Sequence, residues 1–440
     1  MGPARFSVAL RASCFSALFV LLAACGGGSS SAGGDEGVGG TPPPAPINTA
    51  PIAAFSASPT TGVAALTVTL DAAASRDPDG QIATYSWSFG DSTAAGSGVT
   101  ATHTFSNPGQ YSVVLTVTDN RGASSSASTI VDVRPRAGSA VPSVRRNATY
   151  PVLYSTHVYG QGLQHSTWGG ETAIPVELEL DLFEPQGAPA GRPALVIIHG
   201  GAFRDGSRTQ AQLVSFAEYF TSRGWVSVSI DYRLLGDRGT LSPEWLQYVQ
   251  NQVLPADRDQ AAALYPAARD AKAAVRWLYA NAATYQINTD YVTAMGGSAG
   301  AYLAIVLGVT DPEDFRDEVP VSADPTLATT HLDQPSRVRT VIDHWGGLAH
   351  LRILEDLDGR SRFDVSDAPV SIVHGTADPT VPFTEAEALR DAYLSTGVPF
   401  GFYPLQGRGH GPWDATFEGM TLQELAMDFV IEQQTLNVSE

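Results

Sequence analysis

Tyr291-Val292-Thr293-Ala294-Met295-Gly296-Gly297-Ser298-Ala299-Gly300 is the stretch that decides the fold. An apolar run ends in a G-x-S-x-G pattern, and residues 301–307 continue as an apolar, helix-forming run. A strand, a glycine-flanked turn and a helix form the context in which this pattern presents a serine as a nucleophile. The glycines let the backbone take a strained turn that a bulky residue would refuse. The Ser298 hydroxyl then stands above the sheet, where a histidine can reach it. In a chain with 43 glycines the pattern also arises by chance, so its partners decide the matter.

Upstream, Ala194-Leu195-Val196-Ile197-Ile198 is an unbroken apolar run, as buried parallel strands show. It runs into His199-Gly200-Gly201-Ala202-Phe203, whose small residues leave backbone N–H groups free to face a substrate oxygen. Such donors stabilise a developing oxyanion by roughly 2.7–4 kcal/mol each. Downstream, residues 369–373 read as a strand that enters His374-Gly375-Thr376-Ala377-Asp378. A second strand-like run at 400–403 precedes Gly407-Arg408-Gly409-His410-Gly411. In the order Ser298, Asp378, His410, the histidine would take the serine proton and return it to the leaving group. The aspartate would orient the histidine.

Other side chains compete for these roles. Asp343 ends the run 338–342 and is the alternative acid. His344 and His350 precede the acid and read as surface or loop residues, and His374 reads as a structural strand-end residue. Asp231 reads as a loop anchor for Arg233. No histidines show metal-ligand spacing. The glycine turns match neither a phosphate loop nor a dinucleotide fingerprint. No metal and no cofactor is therefore expected.

With these motifs in order, residues 150–440 resemble an α/β-hydrolase of the carboxylesterase or lipase type. They are similar to the hormone-sensitive-lipase-like and feruloyl/acetyl-xylan-esterase-like groups. Asp231-Tyr232-Arg233-Leu234 and Tyr265-Pro266-Ala267-Ala268-Arg269-Asp270 add to the resemblance. It implies a mostly parallel sheet with helices on both faces and a serine hydrolase acting on carboxylic esters. It also implies oxyanion donors at the N–H groups of Gly200, Gly201 and Ala299. The family often carries a third glycine where this chain has Ala202. The loop 374–378 is also similar to that of prolyl-oligopeptidase-type enzymes, which keeps a peptidase or amidase as the alternative. A non-catalytic surface-binding protein is the second.

The rest of the chain divides by composition. Residues 1–24 carry Arg5 and Arg11 before a short apolar run and end in Leu22-Ala23-Ala24, just before Cys25. They resemble a bacterial lipoprotein signal, which implies a lipid on Cys25 and a place in the cell envelope. Residues 25–48 are rich in Gly, Ser and Pro and read as a tether. Residues 49–134 alternate with period two between turn signals, as half-buried strands of a small all-β sandwich do. They resemble a PKD domain through Asp77-Pro78-Asp79-Gly80, Tyr85-Ser86-Trp87-Ser88-Phe89-Gly90-Asp91 and residues 109–119. Trp87 reads as core. Asp77, Asp79 and Asp91 read as turn formers, with a Ca²⁺ site as the alternative. Residues 135–149 read as a linker.

The net charge of -19 argues against a nucleic-acid or anionic-membrane partner. The expected partners are a small ester or an esterified polysaccharide, a lipid anchor, and a polysaccharide or protein contact through the PKD-like domain. The two cysteines, Cys14 and Cys25, leave no internal disulfide beyond the signal. Apolar spacing predicts an amphipathic helix over 266–283. Insertions at 234–264 and 311–337 are expected to shape a pocket, with Phe203, Trp345 and Trp413 as its aromatics.

Overall fold

The computed structural model describes residues 48–440 except 64–65, 92, 94, 106–108, 135–140 and 148. The signal-like segment, Cys25 and the tether up to residue 47 lie outside the described residues.

The N-terminal domain is a sandwich of two sheets. One contains Ser56–Ser58, Leu66–Asp71 and Thr100–Phe105. The other contains Thr61–Val63, Ile82–Ser88, Gly96–Ser97, Gly109–Asp119 and Ser124–Arg134. Period-two alternation sends Val68, Leu70, Val113, Leu115 and Val117 inward, where they close on Trp87. The buried Trp87 indole donates to the Gly98 carbonyl at 2.9 Å, so its one polar atom is satisfied. The aspartates do local work: Asp77 accepts the Asp79 N–H, Asp79 pairs with Arg121, and Asp91 pairs with His103. Among the described residues no three His, Cys, Asp or Glu side chains converge on a metal position.

The second domain is built on an eight-stranded sheet. Its strands are β1 (Val152–His165), β2 (Ala173–Pro185), β3 (Arg192–Ile198), β4 (Val226–Ile230), β5 (Ile287–Gly297), β6 (Thr340–His344), β7 (Val370–Gly375) and β8 (Phe400–Leu405). Their order is β1-β2-β4-β3-β5-β6-β7-β8; β1 and β2 are antiparallel to their neighbours and the rest run parallel. The helices are α1 (Ala211–Thr221), α2 (Pro243–Gln252), α3 (Arg258–Ala280), α4 (Ala299–Val309), α5 (Ala349–Asp358), α6 (Thr384–Thr396) and α7 (Leu422–Gln434). This is the mostly parallel sheet with helices on both faces that the sequence leads one to expect of residues 150–440.

β3 reads as one apolar run because both its faces are covered. Ala194, Val196 and Ile198 join the core beneath α2 to α6; Leu195 and Ile197 join the one beneath α1 and α7. The same division holds for Val292 and Ala294 against Tyr291 and Met295 on β5. The parallel strands all end on one edge, where the loops after β3, β5, β7 and β8 meet. That edge is where such sheets carry their ligand sites.

Helix α3 departs from the reading of the sequence. It begins at Arg258, eight residues before Pro266, and carries the proline within it. It is not amphipathic against solvent either, because residues 260–278 are all buried. The insertion at 311–337 covers its outer side, and the cations of α3 tie that insertion down through its carbonyl groups. Lys272 donates to Asp311 O at 2.6 Å and Asp314 O at 2.7 Å, and Arg276 to Thr330 O at 2.7 Å. The 234–264 stretch also contains an unforeseen helix, α2, capped by Ser242, with Trp245 and Val249 buried.

A second correction concerns Asp231 and Arg233, which do not pair. Asp231 binds Arg208, through the backbone N–H at 2.6 Å and through the guanidinium. Arg233 reaches instead to Asp270 on α3, in a bidentate pair at 2.7 and 2.9 Å, with both side chains buried. Removing one partner of a buried pair strands the other charge, which costs about 3–5 kcal/mol. Asp270→Ala is therefore expected to lower the urea midpoint with an unchanged m-value. An unchanged midpoint would mean that the pair does not hold α3 in place.

Candidate active site

Ser298 follows β5 directly and stands as N-cap of α4, with φ 54° and ψ -124°. Such a left-handed value is strained for a serine. The flanking glycines make the turn possible. A Cβ on Gly296 would lie 2.1 Å from the Gly300 carbonyl carbon, and one on Gly300 would lie 2.0 Å from Ile198 O. The Ser298 N–H donates to His344 O at 2.9 Å, which ties the turn to the end of β6.

The structure brings Ser298, His410 and Asp378 together. The Ser298 hydroxyl lies 2.9 Å from His410 Nε2, and His410 Nδ1 lies 2.7 Å from Asp378 Oδ2. An ionised carboxylate only accepts, so Nδ1–H donates to Asp378 and Nε2 is left to accept the serine proton. Asp378 Oδ1 accepts two backbone N–H groups, from Thr380 at 2.8 Å and Val381 at 3.0 Å. Burial pushes this carboxyl up, but hydrogen bonds from His374, His410 and Thr380 outweigh burial and hold it well below the ordinary carboxylate range. The acid loop and the histidine loop are joined by Ala377 N–H donating to Arg408 O at 3.0 Å. Gly375 makes room for that junction, since a Cβ there would lie 2.4 Å from Arg408 O.

The His-Gly-Gly turn lies alongside the serine: a Cβ on Gly200 would be 3.2 Å from Ser298 Cβ and 2.7 Å from Gly297 O. His199 fixes the turn from below. Its Nδ1–H donates to Gly200 O at 2.7 Å, its ring stacks on Tyr232, and the Tyr232 hydroxyl donates to His199 O. Gly201, Ala202 and Phe203 all have positive φ, at 114°, 53° and 60°. Ala202 therefore occupies a left-handed position, which explains why a glycine suits it. Gln260 holds this turn by donating to Ala202 O at 3.0 Å, a role with no signal in the sequence.

Asp343, the alternative acid, is buried at β6 and accepts from the Gly346 N–H at 2.8 Å rather than from His410. Of the three candidate pocket aromatics, Phe203 and Trp345 are buried, and Trp413 is partly exposed. Trp413 covers Gly297, where a Cβ would meet its ring at 2.6 Å, and it packs edge-on against Trp345. A cleft of about 1390 Å³, lined by Tyr111, Lys272 and Arg337 among others, lies at the opposite ends of the strands and contains none of the triad side chains.

His344 and His350 are buried, contrary to the surface or loop placement read from the sequence. His344 sits among Phe216, Trp345 and Trp413 with neither ring nitrogen hydrogen-bonded among the described residues. Burial pushes each histidine down to about 3. Both are thus neutral when folded, whereas unfolded histidines protonate near pH ~6.5. Below that pH the unfolded chain binds more protons, so stability is lost as pH falls from ~6.5 towards ~3. His344→Phe is expected to retain more of its pH 7 melting temperature at pH 5 than the parent chain does. Equal losses in the two proteins would contradict this origin of acid lability.

Comparison with known proteins adds the following. Residues 48–133 match the PKD domain model, and residues 180–254 and 252–362 match the family model described as BD-FAE. Esterase LipQ of Mycobacterium tuberculosis is 26% identical over 281 residues, which is 57% of this chain and 58% of that protein. Gut esterase 1 of Caenorhabditis briggsae is 33% identical over 138 residues, 31% of this chain and 21% of that protein. The chain thus spans less than two thirds of the curated relatives it matches. Among solved structures, an esterase from the Planctomycetes species Thermogutta terrifontis aligns with a TM-score of 0.47 at 24% identity, covering 65% of this chain and 96% of that one.

Proposed function

We propose that this chain is a serine hydrolase that cleaves carboxylic esters through an acyl-enzyme on Ser298. The observation that carries the reading is the pair of hydrogen bonds, 2.9 and 2.7 Å, that joins Ser298 to His410 and His410 to Asp378. Ser298 attacks the acyl carbon as His410 Nε2 removes its proton. The oxyanion forms against the N–H groups of Gly200, Gly201 and Ala299. His410 then gives the proton to the departing alcohol, and Asp378 stabilises the imidazolium throughout. Water, activated by the same histidine, releases the acid. The relatives described as esterases support an ester over an amide.

The substrate is a small ester or an esterified polysaccharide. The chain works in the cell envelope, exported and held by a lipid on Cys25, and its PKD domain contacts polysaccharide or protein. The experiment is turnover of p-nitrophenyl esters from acetate to palmitate beside a peptide p-nitroanilide. Ester hydrolysis with the anilide left intact is the expected result; the reverse preference would replace the esterase reading with an amidase.

A further inference from the structure

A second histidine stands behind the acid. His374 is the penultimate residue of β7, with its side chain fully buried. Its Nε2 lies 2.9 Å from Val381 O. A carbonyl oxygen only accepts, so Nε2 carries the hydrogen and donates. The same Nε2 lies 3.5 Å from Asp378 Oδ2, the oxygen that receives the His410 hydrogen. Asp378 Oδ2 is thus faced by two imidazoles, one on the reacting side and one behind. With Nε2 committed, the chemistry of His374 is left to Nδ1, which is buried with no partner among the described residues. On the neighbouring strand, Asp343 gives Oδ1 to the Gly346 N–H, and its Oδ2 is also buried with no partner. Buried polar atoms are almost always paired, so two such orphans around one triad acid call for a reason.

We propose that His374 is a positioning residue for Asp378. Held by Val381, the His374 N–H keeps Asp378 Oδ2 turned towards His410 and keeps that carboxyl ionised. Burial opposes the His374 imidazolium, but the bonds to Asp378 and Val381 and the charge of Asp343 raise its pKa above the ordinary value. Burial drives Asp343 up to about 6, with His374 pulling the other way. The remaining groups around the pair leave its charge balance alone. Phe383, the N-cap of α6, meets the His374 ring edge-on, and Glu385 is neutralised by Arg352. The Tyr302 and Tyr393 phenols are kept protonated by burial.

This inference rests on the triad reading above, so its test has one arm that needs no catalysis. In the full chain, the imidazole resonances are titrated by NMR, and kcat and KM on p-nitrophenyl acetate are followed against pH. The chains compared are the parent, His374→Phe, His374→Gln and Asp343→Asn. Without the donor behind it, Asp378 becomes a stronger partner for the His410 imidazolium. In His374→Phe the His410 titration and the acid limb of kcat/KM should both move up by about one unit, with kcat about tenfold lower and KM unchanged. His374→Gln, which keeps a side-chain N–H, should return both towards the parent. Asp343→Asn keeps the His374 contact with Asp378 and should titrate nearly as the parent does; His374→Leu takes the place of His374→Phe if phenylalanine prevents folding. A shifted His410 titration in a chain that hydrolyses no ester would overturn the esterase reading and leave the positioning role standing. Variants that lose melting temperature while His410 titrates as in the parent would reduce His374 to packing and overturn the inference.

Discussion

Ser298→Ala is expected to lower kcat on a p-nitrophenyl ester by on the order of 10⁶-fold, with KM nearly unchanged. The size follows from the serine's place in the sequence of events. The nucleophilic bond of acylation is made by Oγ, which lies 2.9 Å from its proton acceptor, His410 Nε2. Without that atom the oxyanion loop and the binding surface still act on an attacking water, which leaves a residual rate roughly 10³–10⁴ above the uncatalysed one. The substitution should fold well. Alanine adopts the backbone that serine holds at φ 54° at comparable cost, and the Ser298 N–H keeps its bond to His344 O. Steady-state kinetics with a melting curve check the result. A loss below about tenfold in folded protein would remove Ser298 from the chemistry.

Asp378→Asn is expected to cost about 10⁴-fold in kcat with little change in structure. The argument is local. Oδ1 is held by the Thr380 and Val381 N–H groups, and both can only donate. An asparagine must keep its carbonyl oxygen there, which turns its NH₂ towards His410. His410 Nδ1 then accepts instead of donating, and its hydrogen moves to Nε2, where it blocks the serine proton. The same NH₂ would also face the His374 N–H, 3.5 Å from that position in the parent. The loss should appear in kcat, with KM little changed. Asp343→Asn should fall far short of it, because Asp343 bonds Gly346 rather than His410. A larger loss in Asp343→Asn than in Asp378→Asn would reverse the assignment of the acid.

Most of the site was legible because its residues sit where strands end. Apolar and strand-like runs mark the buried parallel strands, and the residue types just after them name the chemistry. Ser298, Asp378, His410 and the His199 turn could therefore be placed from local sequence alone. Side chains that act across the fold could not. Gln260 reaches the oxyanion turn from α3, and nothing in its neighbourhood marks it. Asp231 and Arg233 are two residues apart, yet each pairs with a residue more than twenty positions away. Helix α3 was misread because its charged residues look solvent-facing, although the insertion at 311–337 supplies carbonyl acceptors for them. Burial of His344 and His350 follows from neighbours such as Phe216, Trp413 and Phe315, which lie far off in the chain. His374 reads from the sequence only as a structural strand-end residue, and its approach to Asp378, four residues on, becomes visible only in the fold.

The most direct test of the acyl-enzyme on Ser298 is mass spectrometry of chain quenched in acid during turnover of a p-nitrophenyl ester. The account predicts one acyl group per chain, carried on the proteolytic peptide that contains Ser298 and absent from the Ser298→Ala chain. Ester turnover with the acyl group on another residue, or with Ser298 unmodified under a fluorophosphonate label as well, would contradict it.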